Sequence, residues 1–369
     1  MPKRIVICAD GTWNRPEKDP QKDYPTNVLR VARAIRPVAM DGVAQQVFYD
    51  WGVGSYQDPW FTGISGKGVQ KNIMDAYRYV VQNYAPGDEL FFFGFSRGAY
   101  TVRSLCGLIN NCGILKRADA SLIQTAFDHY KRAWPDYTPE GKASVVFRKK
   151  HAHAGSRTIK FVGVWDTVGA MGIPMSFLGL FDNRDEFYDA KLGMNVEVGR
   201  HALALNERRI DFQPTLWLPR EGVDMQQVWF AGCHGDVGGG HAPCPDSGSV
   251  LSAISLQWMV KQASQLGLEL DKHVAAGIKA DPMAAMHESR RTFYRLRERY
   301  ARPIEPVVSH KTVDVKIPTW IHRSVQTRWN ADANYRPRAL LQHLKYCQDN
   351  LMEAGICCPN WFGCVALRV

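Results

Sequence analysis

Leu90-Phe91-Phe92-Phe93-Gly94-Phe95-Ser96-Arg97-Gly98 is the stretch on which the reading of this chain turns. Four consecutive apolar residues, Leu90 to Phe93, follow the turn-forming Pro86-Gly87-Asp88 and predict a strand buried on both faces, as at the centre of a parallel sheet. Gly94 to Gly98 then fits G-x-S-x-G, in which the glycines permit a sharp strand-to-helix turn that lifts the serine above the sheet. From Ala99, apolar residues recur at Val102, Leu105 or Cys106, and Ile109, the helical period, and Gly113 is the expected stop. Strand, elbow and amphipathic helix in this order make Ser96 the candidate nucleophile. The competing reading is a serine that merely caps the helix.

Bulk properties permit an enzyme without demanding one. The chain has 369 residues, 45% hydrophobic and 22% charged, enough for one large α/β domain with an ordinary core. Its net charge of +10 favours anionic partners such as phospholipid headgroups, while solvated arginines explain it equally well. Basic residues gather at Arg148 to Lys150 and from Arg290 to Arg302, without the aromatic stacking rows of a nucleic-acid binder, so no nucleic acid is expected. Nine cysteines without a C-x-x-C pair suggest neither a disulfide framework nor a zinc ribbon, and fit a reducing cytosol. A strand begins within four residues of the start, leaving no room for a signal peptide. No apolar run approaches the roughly 18 residues of a membrane span. The expected localisation is cytoplasmic, with export by a signal-independent system left open.

In chain order, Arg4 to Cys8 predicts a first strand running into Ala9-Asp10-Gly11-Thr12-Trp13-Asn14. A D-x-D-G-T phosphatase motif would need a nucleophilic Asp where Cys8 stands. The loop suits instead a backbone donor for an oxyanion hole, Gly11 with the amide of Arg97, or a tight turn before a helix near Asn27 to Ile35. A second strand, Gln46 to Tyr49, leads into a loop rich in glycine and aromatic residues between Trp51 and Gly68, suited to meeting an acyl chain or simply to packing. Asp10, Thr12 and Gly54, on these two loops, are the expected substrate-binding residues. Val69, Ile73, Tyr77, Val80 and Tyr84 mark the helix that delivers the chain into the nucleophile strand.

Residues 116 to 157 read as helical and polar, with a basic loop from Lys149 to Arg157. Ile159 to Trp165 predicts another strand, ending at Asp166, and open α/β sheets place their chemistry at that carboxyl edge. Val196 to Arg209 carries helix-type periodicity, with Arg208 and Arg209 expected in structural ion pairs. Val228 to Gly232 predicts a strand that runs into Cys233-His234-Gly235-Asp236-Val237-Gly238-Gly239-Gly240. A glycine-rich phosphate cradle is the rival reading, but no P-loop lysine is present and the next helix, Leu251 to Leu266, starts about ten residues on.

Ser96, Asp166 and His234 follow the chain order Ser, Asp, His of an acyl-transfer triad. His322, ending a possible strand Ile317 to Ile321, is the alternative base, and Asp236 the alternative acid. A metal-assisted phosphoesterase built on Asp10, Asp166, His234 and Asp236 is a competing reading, as is a non-catalytic module for anionic lipid or nucleic acid. The favoured reading needs neither cofactor nor metal. Residues 345–369, with several cysteines and a Trp-Phe pair, form a tail without legible chemistry. No repeat or linker divides residues 1–369, so a single domain with helical insertions is expected.

CADGTWN, YDWGVGS, FFFGFSRGAYTVRSL, VGVWDTVGA, HALALNERRIDFQPTLW, VWFAGCHGDVGGG and HRSVQTR together resemble the α/β-hydrolase-like proteins of the domain of unknown function 2235. The resemblance spans residues 3 to about 328, and that family includes phospholipases delivered by type VI secretion. It implies a mainly parallel sheet flanked by helices, a serine esterase acting on a lipid ester, and a serine, acid and histidine at Ser96, Asp166 and His234. Asn206 departs from the usual Asp, and Gly235 from the usual Ser.

Overall fold

The computed structural model describes residues 2–11, 14, 19, 23–52, 66–132, 135–168, 192–271, 279–290, 299–304, 307–310 and 313–349. Thr12, Gly54, most of the aromatic-rich loop after Trp51 and the tail beyond 349 lie outside them.

The organising layer is a parallel sheet. Its strands are β1 (Arg4–Ala9), β2 (Gln45–Asp50), β3 (Glu89–Phe95), β4 (Ile159–Trp165), β5 (Val196–Ala204) and β6 (Asp224–Phe230). A separate antiparallel pair, β7 (Val307–His310) with β8 (Val313–Lys316), precedes the short edge strand β9 (Trp320–Ile321). The order across the sheet is β2-β1-β3-β4-β5-β6-β9, every pair parallel. Strand β3, which leads into Ser96, is therefore interior, between β1 and β4. Its apolar run is buried on both faces because helices cover both. Leu90 and Phe92 join the core under α2 (Gly66–Asn83) and α3 (Arg97–Cys112), while Phe91 and Phe93 join the core under α1 (Asn27–Ala34) and the helix Ser252–Ser264. Such burial drives the layering at about 25 cal/mol per Å² of apolar surface removed from water. The fold is α/β-hydrolase-like, and because every pair is parallel, the strand ends that lead into Ser96, Asp166 and His234 emerge on one edge.

Three expectations are corrected. Val196 to Arg209 is not a helix: Val196–Ala204 forms β5, flanked on both sides by strands, with Arg200 to Ala204 buried. Alanine and leucine favour helix, but propensity is a weak force and backbone pairing with β4 and β6 overrides it; at Gly199 the packing is tight enough that a Cβ would sit 2.3 Å from Leu192. The predicted strand Ile317 to Ile321 contracts to its last two residues, which pair with Val228 and Trp229. The basic loop at Lys149 is instead the end of the helix Lys142–His151, whose His151 contacts Asp119 at 2.9 Å. Among the described residues, no helix is long and apolar enough to cross a membrane.

Candidate active site

Ser96 lies at the bend between β3 and α3. It has φ 57° and ψ −121°, outside the backbone regions that side-chain-bearing residues favour, and its hydroxyl makes no capping bond to the helix. The glycines serve a different end from the one the pattern suggested. Neither Gly94 nor Gly98 has a positive φ; the serine carries the strain, and the glycines admit close packing. A Cβ on Gly98 would lie 2.1 Å from the Ala9 carbonyl oxygen, and one on Gly94 would lie 2.6 Å from Ala99. Arg97 opens the helix, where backbone N–H groups have no intrahelical acceptor and the helix dipole favours negative charge.

The next strand delivers Asp166. Ser96 donates its N–H to the Trp165 carbonyl at 3.1 Å and Asp166 donates its own to Ala202 at 2.7 Å, so the ladder extends one residue past β3 and β4. Asp166 also has a positive φ, 42°. Its carboxylate is wholly buried and fully engaged. Oδ2 meets Nδ1 of His234 at 2.5 Å, and Oδ1 accepts from the Ala204 N–H at 2.9 Å. Arg302 approaches both oxygens, at 2.6 and 3.0 Å. Burial alone would push this carboxyl up, but the Arg302 guanidinium and the His234 hydrogen bond outweigh it and hold it well below the ordinary carboxylate range.

His234 begins the short helix His234–Gly238 after β6. Its Nδ1 hydrogen bonds Asp166, leaving Nε2 with the lone pair, the tautomer a general base requires. The ring is held between Phe95, at 4.5 Å between centroids, and Phe212, edge-on at 5.0 Å. Its backbone N–H donates to Glu207 Oε2 at 3.2 Å. Burial lowers its pKa despite the pull of Asp166.

The other predicted residues take other places. His322 caps the helix Arg323–Ala331, accepting the Ser324 N–H at 3.2 Å, and stacks on Phe230. Asp236 faces His287 Nδ1 at 2.6 Å and accepts the Cys233 N–H at 3.0 Å. Asp10 accepts from the Thr26 and Tyr49 hydroxyls at 2.5 and 2.9 Å. Asp10, Asp166 and Asp236 thus belong to separate hydrogen-bond systems, and an arginine already occupies both oxygens of Asp166. The four-residue metal centre finds no support in this arrangement. Gly11 sits against Ser96, a Cβ there falling 3.0 Å from that of the serine, but its N–H donates to Asp10 Oδ1 at 2.8 Å. Asn206 accepts from the Gly232 N–H and the Tyr335 hydroxyl at 2.9 and 3.0 Å. Arg209 pairs with Glu207, and Arg208 with Glu288.

Two residues that hold Asp166 and His234 in place carry no mark in the sequence. Arg302 closes the basic run from Arg290, and no motif sets it apart. Glu207 was hidden by the helical reading of Val196 to Arg209; as a strand, that segment would have placed it just past a sheet edge. Size gives no help either: a cleft of about 690 Å³ lined by Arg103, Asn110, Trp217 and Arg220 contains none of Ser96, Asp166 or His234.

Residues 3–262 match a family model described as the catalytic domain of Tle1-like phospholipase effectors of type VI secretion. The uncharacterized protein YEL023C of Saccharomyces cerevisiae is 26% identical over 239 residues, 59% of this chain and 33% of that protein. The chain thus spans about a third of the length of that relative. Among solved structures, an uncharacterized protein from Pseudomonas aeruginosa aligns over 74% of this chain and 47% of its own, with a TM-score of 0.46 and 16% identity. A Tle1 effector bound to the VgrG spike of the type VI secretion system aligns over 67% of this chain and 52% of its own, with a TM-score of 0.36 and 18% identity.

Proposed function

Since the chain belongs to the Tle1-like phospholipase effector catalytic-domain family of type VI secretion, we propose that it hydrolyses a carboxylic ester of a lipid through an acyl-enzyme on Ser96. His234 Nε2 takes the proton as Ser96 Oγ attacks the ester carbonyl, then returns it to the departing alcohol. Asp166 keeps the imidazole in the required tautomer and offsets its positive charge during attack. The amide of Arg97, at the positive end of α3, stabilises the oxyanion. One donor of this kind is worth about 3 kcal/mol of barrier. Water then attacks the acyl group with the same histidine as base.

The observation that carries this reading is the 2.5 Å contact between the buried Asp166 and His234, on the sheet edge from which the strained Ser96 emerges. The net charge of +10 supports peripheral contact with an anionic bilayer. Treatment of the purified chain with a fluorophosphonate probe tests the serine directly. Labelling is expected for the wild type and for His322→Ala, and its absence for Ser96→Ala and His234→Ala, with the melting temperature of Ser96→Ala unchanged. Turnover of phosphatidylglycerol vesicles that survives Ser96→Ala would overturn the mechanism.

A further inference from the structure

Behind the turn that carries His234 lies a cluster the hydrolytic reading does not use. Cys233, Asp236 and His241 each turn a ligand atom toward the others, all within 4.8 Å. Cys233 Sγ lies 3.7 Å from His241 Nε2. Tetrahedral zinc, with bonds of about 2.3 Å to sulfur and about 2.05 Å to nitrogen, holds those two atoms roughly 3.6 Å apart. His287 supports the set from outside, its Nδ1 at 2.6 Å from Asp236 Oδ1 and its ring stacked on that of His241 at 4.0 Å. Carboxylates that ligate a metal are commonly oriented by a hydrogen bond from outside the site, the role His287 fills here.

The backbone makes room for this arrangement. Any Cβ at Gly235 would fall 2.4 Å from His241 Nε2, so the imidazole occupies space that only glycine leaves open. Cys233 and Asp236 are buried, whereas His241 and His287 are partly exposed and give a path from solvent.

We propose that Cys233, Asp236 and His241 bind a thiophilic divalent cation of the zinc class, with His287 orienting the Asp236 carboxylate. Thiolate, imidazole and carboxylate together suit zinc or cobalt and not magnesium or calcium, which take oxygen ligands. Binding releases the thiol proton to solvent, and solvent water fills the fourth position. The cation joins Cys233 and Asp236, at either end of the first turn, to His241 beyond it, and so braces the segment that presents His234.

The full chain, stripped with chelator and titrated with Co²⁺, is expected to bind one equivalent and to show a thiolate-to-cobalt charge-transfer band, which Zn²⁺ then bleaches. Zn²⁺ is expected to raise the melting temperature in the same titration. Cys233→Ser should abolish the band. Gly235→Ala, which keeps every ligand, should weaken binding at least about tenfold by displacing His241, and His241→Gln should do the same. A wild-type chain without the band, or a band that survives Cys233→Ser, would overturn the site. If Cys233→Ser does not fold, Gly235→Ala and His241→Gln decide, since unchanged affinity in both would equally overturn it. None of these readouts depends on Ser96 or on ester turnover.

Discussion

Arg302 grips Asp166 through two contacts, 2.6 and 3.0 Å, with neither side chain exposed to solvent. The guanidinium also donates to the Ala204 carbonyl at 2.9 Å and to that of Phe212. One arginine thus fixes the acid, the end of β5 and the segment that packs on the His234 ring. A forked cation does this where a point charge cannot.

Removing that cation strands a buried carboxylate. Arg302→Met is expected to cost about 3–5 kcal/mol of stability, read from the midpoint of a urea unfolding curve at constant slope. Arg302→Lys, with the charge but not the fork, should fall between it and the wild type. A loss below about 1 kcal/mol for Arg302→Met would mean that His234 and the Ala204 N–H suffice for Asp166.

At Ser96 the backbone and the proposed chemistry pull in opposite directions. With φ at 57° and ψ at −121°, a residue bearing a Cβ is strained, and Ser96→Gly should gain about 1 kcal/mol after its extra unfolded-state entropy is subtracted. Ser96→Ala keeps the Cβ and should leave stability unchanged. Denaturant titration of both variants separates the hydroxyl from the strain.

Gly98 has no such latitude. Alanine there would drive a methyl to 2.1 Å from the Ala9 carbonyl oxygen and 2.5 Å from that of Asp10, so α3 would have to lift from β1. Gly98→Ala is expected to lose about 3 kcal/mol or to fail to fold, seen by circular dichroism and the solubility of the expressed chain.

Buried neutral histidines set the acid side of the stability curve. His201 accepts the Thr167 N–H at 3.1 Å through Nε2, so Nδ1 carries the hydrogen directed at Gln227; burial lowers its pKa to about 3. Burial likewise lowers His343 to about 4. Their contribution is complete above the unfolded value of about 6.5 and is lost as pH falls below it, because only the unfolded chain then takes up protons. Asp10 acts in the opposite sense: burial outweighs its hydrogen bonds and raises it to about 6, so the folded state gains as pH falls through that value. Burial also lowers His322 to about 4 and raises Asp50 to about 7. Each of these histidines loses about 2 kcal/mol between pH 7 and pH 5, while Asp10 returns about 1 kcal/mol and Asp50 about 2 kcal/mol. The melting temperature should therefore drop over this interval, and His201→Gln should flatten the drop. A melting temperature that rises toward pH 5 would contradict this balance.

The apolar run Leu90 to Phe93, the elbow after it and the amphipathic helix beyond were legible because each depends on local periodicity and local backbone freedom. Asp166 directly follows the run Ile159 to Trp165, and His234 follows Val228 to Gly232 with Cys233 between, so both positions at a strand end were likewise readable. β5 was not legible. Alanine and leucine leave its local preference helical, and only pairing with β4 and β6 makes it a strand, which also hid Glu207.

What the chain order determined by itself is the serine elbow and its place on a parallel sheet, since those follow from neighbours within one or two turns of backbone. Tertiary structure alone decided that His234 rather than His322 meets Asp166, that Arg302 leaves its basic run to lie wholly buried, and that Gly235 yields its space to His241. These pairings join residues separated by up to 136 positions, and at such separations the packing of the sheet edge, not sequence spacing, sets which groups meet.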